Sequence, residues 1–190
     1  RRLLARHGPA ALTVRADAQP TLVTERLRLR PLAPADAADV QRLAGRFEVA
    51  GTTANIPHPY PDGAAAAFIA AQADAWRDGS AATWAITRDG ALLGCIGLAL
   101  TARAHARASL GYWVAHGEWN RGYATEAARP VVAWALADGW HRIEATHLTR
   151  NPASGRVMQK LGMQREGCLR GYFRRFDQWE DVELYALLAE

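Results

Sequence analysis

Cysteine is scarce in this chain, which has only Cys95 and Cys168 among 190 residues. Two cysteines outside any Cys-x-x-Cys pair cannot build a disulfide framework, so we predict that both are buried, reduced thiols and that the protein is cytoplasmic. The six histidines show neither HxxxH nor HExxH spacing. That pattern predicts that the protein binds no metal ion.

Long apolar runs are also missing. No stretch reaches the roughly 18–20 apolar residues that a membrane helix requires, so we expect no membrane partner. The first residues include arginines but no continuous apolar segment followed by a cleavage site, so we expect no secretory signal.

Acidic residues are rare at the start of the chain. Residues 1–30 hold seven arginines against Asp17 and Glu25, a net charge of +5, whereas the whole chain carries +4. The other 160 residues therefore carry a net charge of −1, which does not suit a folded nucleic-acid interface. We interpret the basic segment as a solvated arm and predict no direct contact with nucleic acid.

The length and the periodicity of the chain predict one domain of mixed α/β class. We expect a loosely ordered extension over residues 1–23 and the domain over residues 24–190. Within the domain the elements follow the order β-α-α-β-β-β-α-β-α-β-β. Predicted strands cover 27–30, 83–87, 92–100, 108–115, 142–148, 164–174 and 179–188. Predicted helices begin near residues 34, 62, 123 and 153.

The segment Trp119–Ala127, WNRGYATEA, predicts an anion-binding turn. It stands between a strand-like run and an amphipathic helix, so the first N–H groups of that helix and its dipole favour a phosphate. Gly122 lets a ligand approach the backbone closely. Taken alone, this pattern is common in strand-to-helix turns.

Further motifs surround that turn and make the pattern specific. Before it lies GYWV at 111–114, and after it follow RIEA at 142–145, NPAS at 151–154 and KLG at 160–162. In this order the motifs resemble those of the GNAT acetyltransferases. ERLRLR at 25–30 and WEDVELY at 179–185 resemble the Rim-type branch, which acetylates the N-termini of ribosomal proteins.

The resemblance implies a GNAT fold, with about seven mostly antiparallel strands that splay between the fourth and fifth, and about four flanking helices. Acetyl-CoA would lie in that gap as cosubstrate. The pyrophosphate would bind the backbone of Arg121, Gly122, Tyr123, Ala124 and Thr125. Trp113 and Val114 would pair with the pantetheine arm, and Asn151 would hold a pantetheine amide.

The resemblance also implies catalytic roles. Val114 would direct a backbone N–H at the thioester oxygen. Many GNAT enzymes have a tyrosine seven residues after Asn151 that protonates the departing thiolate, but this chain has Met158 there. Ser154 is therefore the candidate that contacts the sulfur. The general base stays open among His58, His105, His116 and Glu118, and the predicted acceptor-binding residues are His58, Tyr60 and Tyr112.

We therefore predict an N-acetyltransferase that moves an acetyl group directly to a primary amine in a ternary complex. The amine is either a protein N-terminus or a small molecule, and the protein is a monomer or a homodimer. One alternative is a catalytically silent acyl-CoA-binding module that acts as a sensor or partner domain. Another is an unrelated phosphate- or nucleotide-binding α/β protein.

Overall fold

One mixed sheet organises the structure, a computed structural model that describes residues 18–190. The strands are β1 (Leu22–Val23), β2 (Arg28–Pro31), β3 (Ala81–Arg88), β4 (Ala91–Ala102), β5 (Arg107–Val114), β6 (Arg142–Leu148), β7 (Gln164–Arg175) and β8 (Gln178–Leu188). The α-helices are α1 (Ala37–Ala44), α2 (Phe47–Ala50), α3 (Ala64–Arg77), α4 (Tyr123–Ala137) and α5 (Pro152–Lys160). Short 3-10 turns cover Pro34–Asp36, Arg103–His105 and His116–Glu118.

The strands lie in the order β1-β2-β3-β4-β5-β6-β8-β7. All neighbouring strands are antiparallel except β5 and β6. The predicted mixed α/β class is confirmed, although the sheet has one strand more and the described chain one helix more than predicted. The additional β1 and α2 have two and four residues, which is too short for a periodic pattern.

The predicted N-terminal extension takes part in the sheet at its last residues. Leu22 and Val23 pair with Leu29 and Arg28 of β2, so the sheet begins just before the predicted boundary at residue 24. Residues 1–17 of the extension lie outside the described residues.

Two hydrophobic clusters lie on opposite faces of the sheet, because successive side chains of a strand point to opposite faces. The larger cluster joins the sheet to α4 and α5, and its fully buried side chains include Trp84, Trp140 and Met158. The smaller cluster lies under α1 and α3 and includes Cys95. On β5, Tyr112 packs against the larger cluster and its neighbour Trp113 against the smaller one.

Helix α4 packs against the sheet through one stripe of buried apolar side chains, most of them small. The buried residues of the helix are Tyr123, Ala127, Ala128, Val131, Val132 and Ala135. This spacing places them on one face. The sequence raised the possibility of a kink or rearrangement at Pro130, but α4 is assigned as one helix from Tyr123 to Ala137. Burial of the stripe offsets the hydrogen bond that Pro130 cannot donate.

The two cysteines occupy different environments. Cys95 is buried on β4, whereas Cys168 is exposed. The prediction that both thiols are buried is therefore wrong for Cys168, because this residue lies on β7, the edge strand of the sheet. Within residues 18–190, no helix combines the length and the hydropathy that a membrane crossing requires.

A buried ion pair connects β2 to the start of α1. The Arg30 guanidinium donates two hydrogen bonds of 2.7 Å to the Asp36 carboxylate, and the Ala33 N–H donates a third of 2.8 Å. The bonds from Arg30 lower the pKa of Asp36 below its usual value, although burial opposes the change. The Asp36 side chain is only 8% exposed.

We predict that Asp36→Asn lowers the free energy of unfolding at neutral pH by about 2 kcal/mol, because it removes charged hydrogen bonds from a buried site. The Asp36 pKa is lowered in the folded state. Its stabilisation is therefore complete above the unfolded pKa of about 3.9 and disappears as pH falls through the folded pKa. In urea unfolding, the difference between wild type and variant should shrink below about pH 4.

Asp39→Asn is the matched control, because Asp39 forms an exposed pair with Arg42. This variant should change stability by less than about 0.5 kcal/mol. Equal losses from the two variants would contradict a special role for the Arg30–Asp36 pair.

Candidate functional site

A V-shaped gap opens between the two central strands. Strands β5 and β6 pair only where Arg107, Ala108 and Ser109 face Arg142, Ile143 and Glu144. Beyond Ser109 the strands separate, while β5 remains paired with β4 as far as Val114. A cleft of about 940 Å³ fills the separation and extends to α1, α5 and residues 52–57.

The free edge of β5 presents backbone donors to this gap. The Ala115 N–H bonds to the Leu93 carbonyl at 2.7 Å, so odd-numbered residues of β5 direct their backbone groups toward β4. The N–H groups of Tyr112 and Val114 therefore face β6 and the cleft. The N–H of Trp113 faces β4, so Trp113 does not fit the predicted backbone role, although it lines the cleft.

The Trp119 indole occupies one backbone acceptor on this free edge of β5. Trp119 donates from its ring nitrogen to the Val114 carbonyl at 2.7 Å. That carbonyl is thereby engaged, whereas the N–H and the carbonyl of Tyr112 and the N–H of Val114 still face the gap.

A second group of donors lies at the start of α4. Gly122 has φ +82°, and the first intrahelical bond runs from the Glu126 N–H to the Gly122 carbonyl. The N–H groups of Tyr123, Ala124 and Thr125 therefore have no intrahelical acceptor. Gly122 and these three residues all line the cleft.

The glycine at 122 is required by its backbone conformation. A Cβ added there would meet the Arg26 guanidinium at an ordinary distance of 3.5 Å. A side chain at φ +82° is nevertheless strained, and a β-branched one most of all. Space for a ligand is thus a weaker reason for this glycine than the turn itself.

An ion pair holds this turn in place. Glu126 accepts hydrogen bonds from the Thr24 hydroxyl at 2.6 Å, the Arg26 N–H at 2.9 Å and the Arg26 Nε at 2.7 Å. Burial would raise the pKa of Glu126, but these bonds lower it below its usual value. Arg26 also donates to the Arg121 carbonyl at 3.1 Å, so one side chain joins the N-terminal segment to the turn.

Arg121 itself lies outside the cleft. Its exposed guanidinium is 3.4 Å from Glu118, and its carbonyl accepts from Arg26. Of the predicted phosphate-binding residues, Arg121 alone does not line the cleft.

Residues at the start of α5 meet the gap from the other side. Asn151 is the N-cap of α5, and its side-chain oxygen accepts from the Ser154 N–H at 3.4 Å. The Ser154 hydroxyl is 2.8 Å from the Tyr112 hydroxyl. Burial raises the pKa of Tyr112 to about 12, although the Ser154 hydrogen bond opposes the change. The structure thus brings the predicted Asn151, Ser154 and Tyr112 together in one cleft.

The opposite wall of the cleft is the segment 50–60. Tyr60 lines the cleft as predicted for an acceptor-side residue, and burial raises the pKa of its hydroxyl. His58 does not line the cleft. Its ring N–H donates to the Gly45 carbonyl at 3.0 Å, and its ring packs on Phe47 at 5.2 Å. These contacts with Gly45, which follows α1, and with Phe47 of α2 hold the ring away from the cleft, and the sequence pattern does not show them.

Two side chains hold that wall. Arg175 donates to the carbonyls of Ala50 and Ile56 at 2.9 and 2.7 Å. Asn151 donates to the Thr52 carbonyl at 3.3 Å. Burial and the nearby Arg150 lower the pKa of Arg175. A desolvated guanidinium that binds carbonyls at both ends of a loop acts as a clamp on that loop.

Several cleft residues were absent from the sequence predictions. Arg156 and Lys160 line the cleft from α5, at a spacing of one helical turn. Residues four apart lie on the same face of a helix. This i, i+4 spacing on the predicted helix after Asn151 is the signal by which the sequence could have identified the two residues. His147 and Cys95 also line the cleft. Burial raises the pKa of the Cys95 thiol, and the His147 ring N–H donates to the Leu148 carbonyl at 2.9 Å.

Of the four predicted general-base candidates, only Glu118 lines the cleft. Its buried Oε2 accepts no hydrogen bond but lies 3.4 Å from the Arg121 guanidinium. Across residues 18–190, no group of three or more His, Cys, Asp and Glu side chains is placed to hold a metal ion.

We predict that Arg175→Met loosens the cleft wall. Losing both carbonyl bonds should speed amide hydrogen exchange over residues 50–57 by about tenfold, as expected for the loss of roughly 1.4 kcal/mol of local stability. Exchange followed by mass spectrometry measures this directly.

Arg174→Met is the matched control, because Arg174 is exposed and pairs with Asp177 in the same hairpin. It should leave exchange over residues 50–57 unchanged. If the two variants gave the same exchange pattern, Arg175 would not be a clamp.

Comparison with known proteins identifies relatives of this chain. Residues 26–164 match the family described as the acetyltransferase (GNAT) domain. YoaA of Bacillus subtilis, named an uncharacterized N-acetyltransferase, is 31% identical over 172 residues, which cover 89% of this chain and 97% of YoaA.

Solved structures share the fold. RimJ of Mycobacterium smegmatis in complex with CoA-disulfide has a TM-score of 0.78 at 27% identity, covering 86% of this chain and 82% of RimJ. RimL, a ribosomal L7/L12 alpha-N-protein acetyltransferase in complex with coenzyme A, has a TM-score of 0.81 at 16% identity, covering 88% of this chain and 96% of RimL.

Proposed function

The chain belongs to the GNAT acetyltransferase family, and from that membership we propose that it transfers an acetyl group from acetyl-CoA directly to a primary amine. The predicted resemblance to this family is confirmed by the family match, and the RimJ structure at 27% identity supports the Rim-type branch. Family membership overturns the alternative of an unrelated nucleotide-binding protein.

The observation that carries the proposal is the unpaired edge of β5 beside the start of α4. A thioester ligand needs hydrogen-bond donors along an extended arm and an anion site at one end of it. The N–H groups of Tyr112 and Val114 supply the first, and those of Tyr123, Ala124 and Thr125 the second. Both groups border the same cleft, and its volume suits a ligand of this size.

Two basic side chains also line the cleft. Arg156 and Lys160 both come from α5. Coenzyme A carries several phosphates, and cationic side chains form charge-assisted hydrogen bonds with such groups. We assign these two residues to phosphate binding, in place of the predicted Arg121.

The chemistry follows from the donors that face the thioester. As an amine attacks the carbonyl carbon, negative charge develops on the carbonyl oxygen, and in this proposal the Val114 N–H stabilises that charge. Ser154 would donate to the departing sulfur. Cys95 is a poor nucleophile because burial raises its pKa. Direct transfer in a ternary complex therefore fits better than an acyl-cysteine intermediate.

The acceptor enters, in this proposal, from the side of residues 50–60. Tyr60 and the β7 residue Phe173 line the cleft, and Tyr60 packs against the smaller cluster together with Trp113. A protein N-terminus and a small amine both remain candidates. Among the predicted base candidates, Glu118 is the one that lines the cleft, and in this proposal it accepts the amine proton directly or through water.

We predict that acetyl-CoA raises the melting temperature of the protein, whereas ATP and NAD do not. A ligand at 100 times its Kd adds about 2.7 kcal/mol of stability. The double variant Arg156→Met/Lys160→Met should weaken acetyl-CoA binding. The loss of affinity should be larger at low salt, because high salt screens the attraction between these cations and phosphate in the wild-type protein.

Arg129→Met is the control for that experiment, because Arg129 is an exposed arginine on α4 outside the cleft. Stabilisation by ATP or NAD without stabilisation by acetyl-CoA would contradict the proposed donor.

We predict that the protein releases free CoA thiol when acetyl-CoA is mixed with a suitable amine, and that Ser154→Ala lowers kcat by about 100-fold with little change in acetyl-CoA affinity. The assay uses peptides with varied N-termini, polyamines and amino acids, with product mass as the second readout. Tight acetyl-CoA binding without turnover on any acceptor would favour the silent acyl-CoA-binding module.

A further inference from the structure

The hydroxyl groups of Tyr112 and Ser154 meet although 42 residues separate them in the chain. The two oxygens are 2.8 Å apart, and the Tyr112 oxygen is also 3.1 Å from the Ser154 carbonyl oxygen. Tyr112 comes from β5 and Ser154 from the first turn of α5, so the pair spans the gap between the splayed strands. Both residues line the cleft.

We propose that Tyr112 is a positioning residue that aims the Ser154 proton at the sulfur of coenzyme A during thioester cleavage. The inference rests on the proposed acetyl transfer and adds a residue to it. Sequence analysis assigned Tyr112 to the acceptor instead. Its side chain packs with the cluster under α4 and α5, on the face opposite Trp113 and Tyr60.

The proton inventory of the pair supports this role. A tyrosine hydroxyl has one proton, and here it has two possible acceptors, the Ser154 carbonyl and the Ser154 hydroxyl oxygen. When Tyr112 donates to the carbonyl, the serine proton can bond back to the tyrosine oxygen. When Tyr112 donates to the serine oxygen, the serine proton is free to point into the cleft. An electron-rich sulfur in the cleft favours the second arrangement.

Burial keeps Tyr112 in its donor form. The pKa of its hydroxyl is raised to about 12, so the group stays protonated through the neutral range and does not serve as a base. Met158, one turn further along α5, is 1% exposed, and its thioether has no proton to give. The Tyr112–Ser154 pair is thus the hydroxyl donor that the described structure places between β5 and α5.

The step balances without any further reactant. The amine nitrogen forms the new bond to the carbonyl carbon, the carbon–sulfur bond breaks, and its electron pair leaves on sulfur. The nitrogen loses one proton, which ends on the sulfur as free thiol. In this scheme Ser154 stabilises the thiolate by a hydrogen bond before that proton arrives, and Tyr112 keeps Ser154 oriented.

The test compares Tyr112→Phe, Ser154→Ala and the double variant, with Tyr172→Phe as control because Tyr172 is exposed. Tyr112→Phe should lower kcat by about tenfold, as expected for the loss of one hydrogen bond in the transition state. The Kd for acetyl-CoA should stay within about twofold of the wild-type value. The double variant should be no slower than Ser154→Ala, because Tyr112 acts only through Ser154. Additive losses, or an unchanged kcat in Tyr112→Phe, would overturn the inference.

A second measurement does not need turnover. The thiol of bound coenzyme A is titrated by the ultraviolet absorbance of its thiolate. Every variant keeps the other titratable groups that line the cleft, namely Tyr60, Cys95, Glu118, Tyr123, His147, Arg156 and Lys160. The bound thiol should ionise about one pH unit higher in Tyr112→Phe than in wild type.

Failure of the proposed acetyl transfer and failure of the proposed role of Tyr112 give different results. If the protein binds coenzyme A and shows the thiol shift but acetylates no amine, the acetyl transfer is contradicted and the role of Tyr112 is supported. If the protein acetylates an amine but wild type and Tyr112→Phe show the same thiol titration, the role of Tyr112 is refuted and the acetyl transfer stands. A merely structural tie between β5 and α5 would instead weaken coenzyme A binding or lower the melting temperature without moving the thiol titration.

Discussion

The separation of β5 from β6 after Ser109 is the constraint on which the rest of the molecule depends. A sheet normally pairs every backbone group of an interior strand, and an unpaired N–H costs free energy unless it finds a partner. Here the chain leaves one edge of β5 open over a few residues. That open edge is a preformed set of donors in a cleft, and a ligand with carbonyl or phosphate oxygens satisfies it.

The elements around the gap keep it open and aligned through a few polar side chains that each make more than one contact. Arg26 joins Glu126, on the first turn of α4, to the Arg121 carbonyl. Asn151 caps α5 with its oxygen and donates to the Thr52 carbonyl with its nitrogen, so one amide group joins the start of α5 to the segment around Thr52. Because hydrogen bonds are directional, these contacts fix how α4, α5 and the segment around Thr52 lie beside the cleft.

The sequence predicted much of the fold and part of the site. Strand β6 and the start of α4 lie where the pattern placed them, because alternation and the glycine signal are local properties. The family resemblance assigned Gly122 and Ser154 to the ligand site, and both line the cleft. His58 and Arg121 were also predicted at the site but do not line the cleft, because their side chains contact Gly45 and Glu118 instead. Cys168 was wrongly predicted as buried, because only strand order makes β7 an edge.

The sequence by itself determined the α/β class, the family and the order of the motifs, because these depend on periodicity and on residues close together in the chain. The tertiary structure alone decided which backbone groups of β5 face the gap and which side chains meet across it. Tyr112 and Ser154 lie far apart in sequence, and their hydroxyl groups meet because the fold brings the start of α5 to β5. Contacts of that kind follow from packing, which no local pattern encodes.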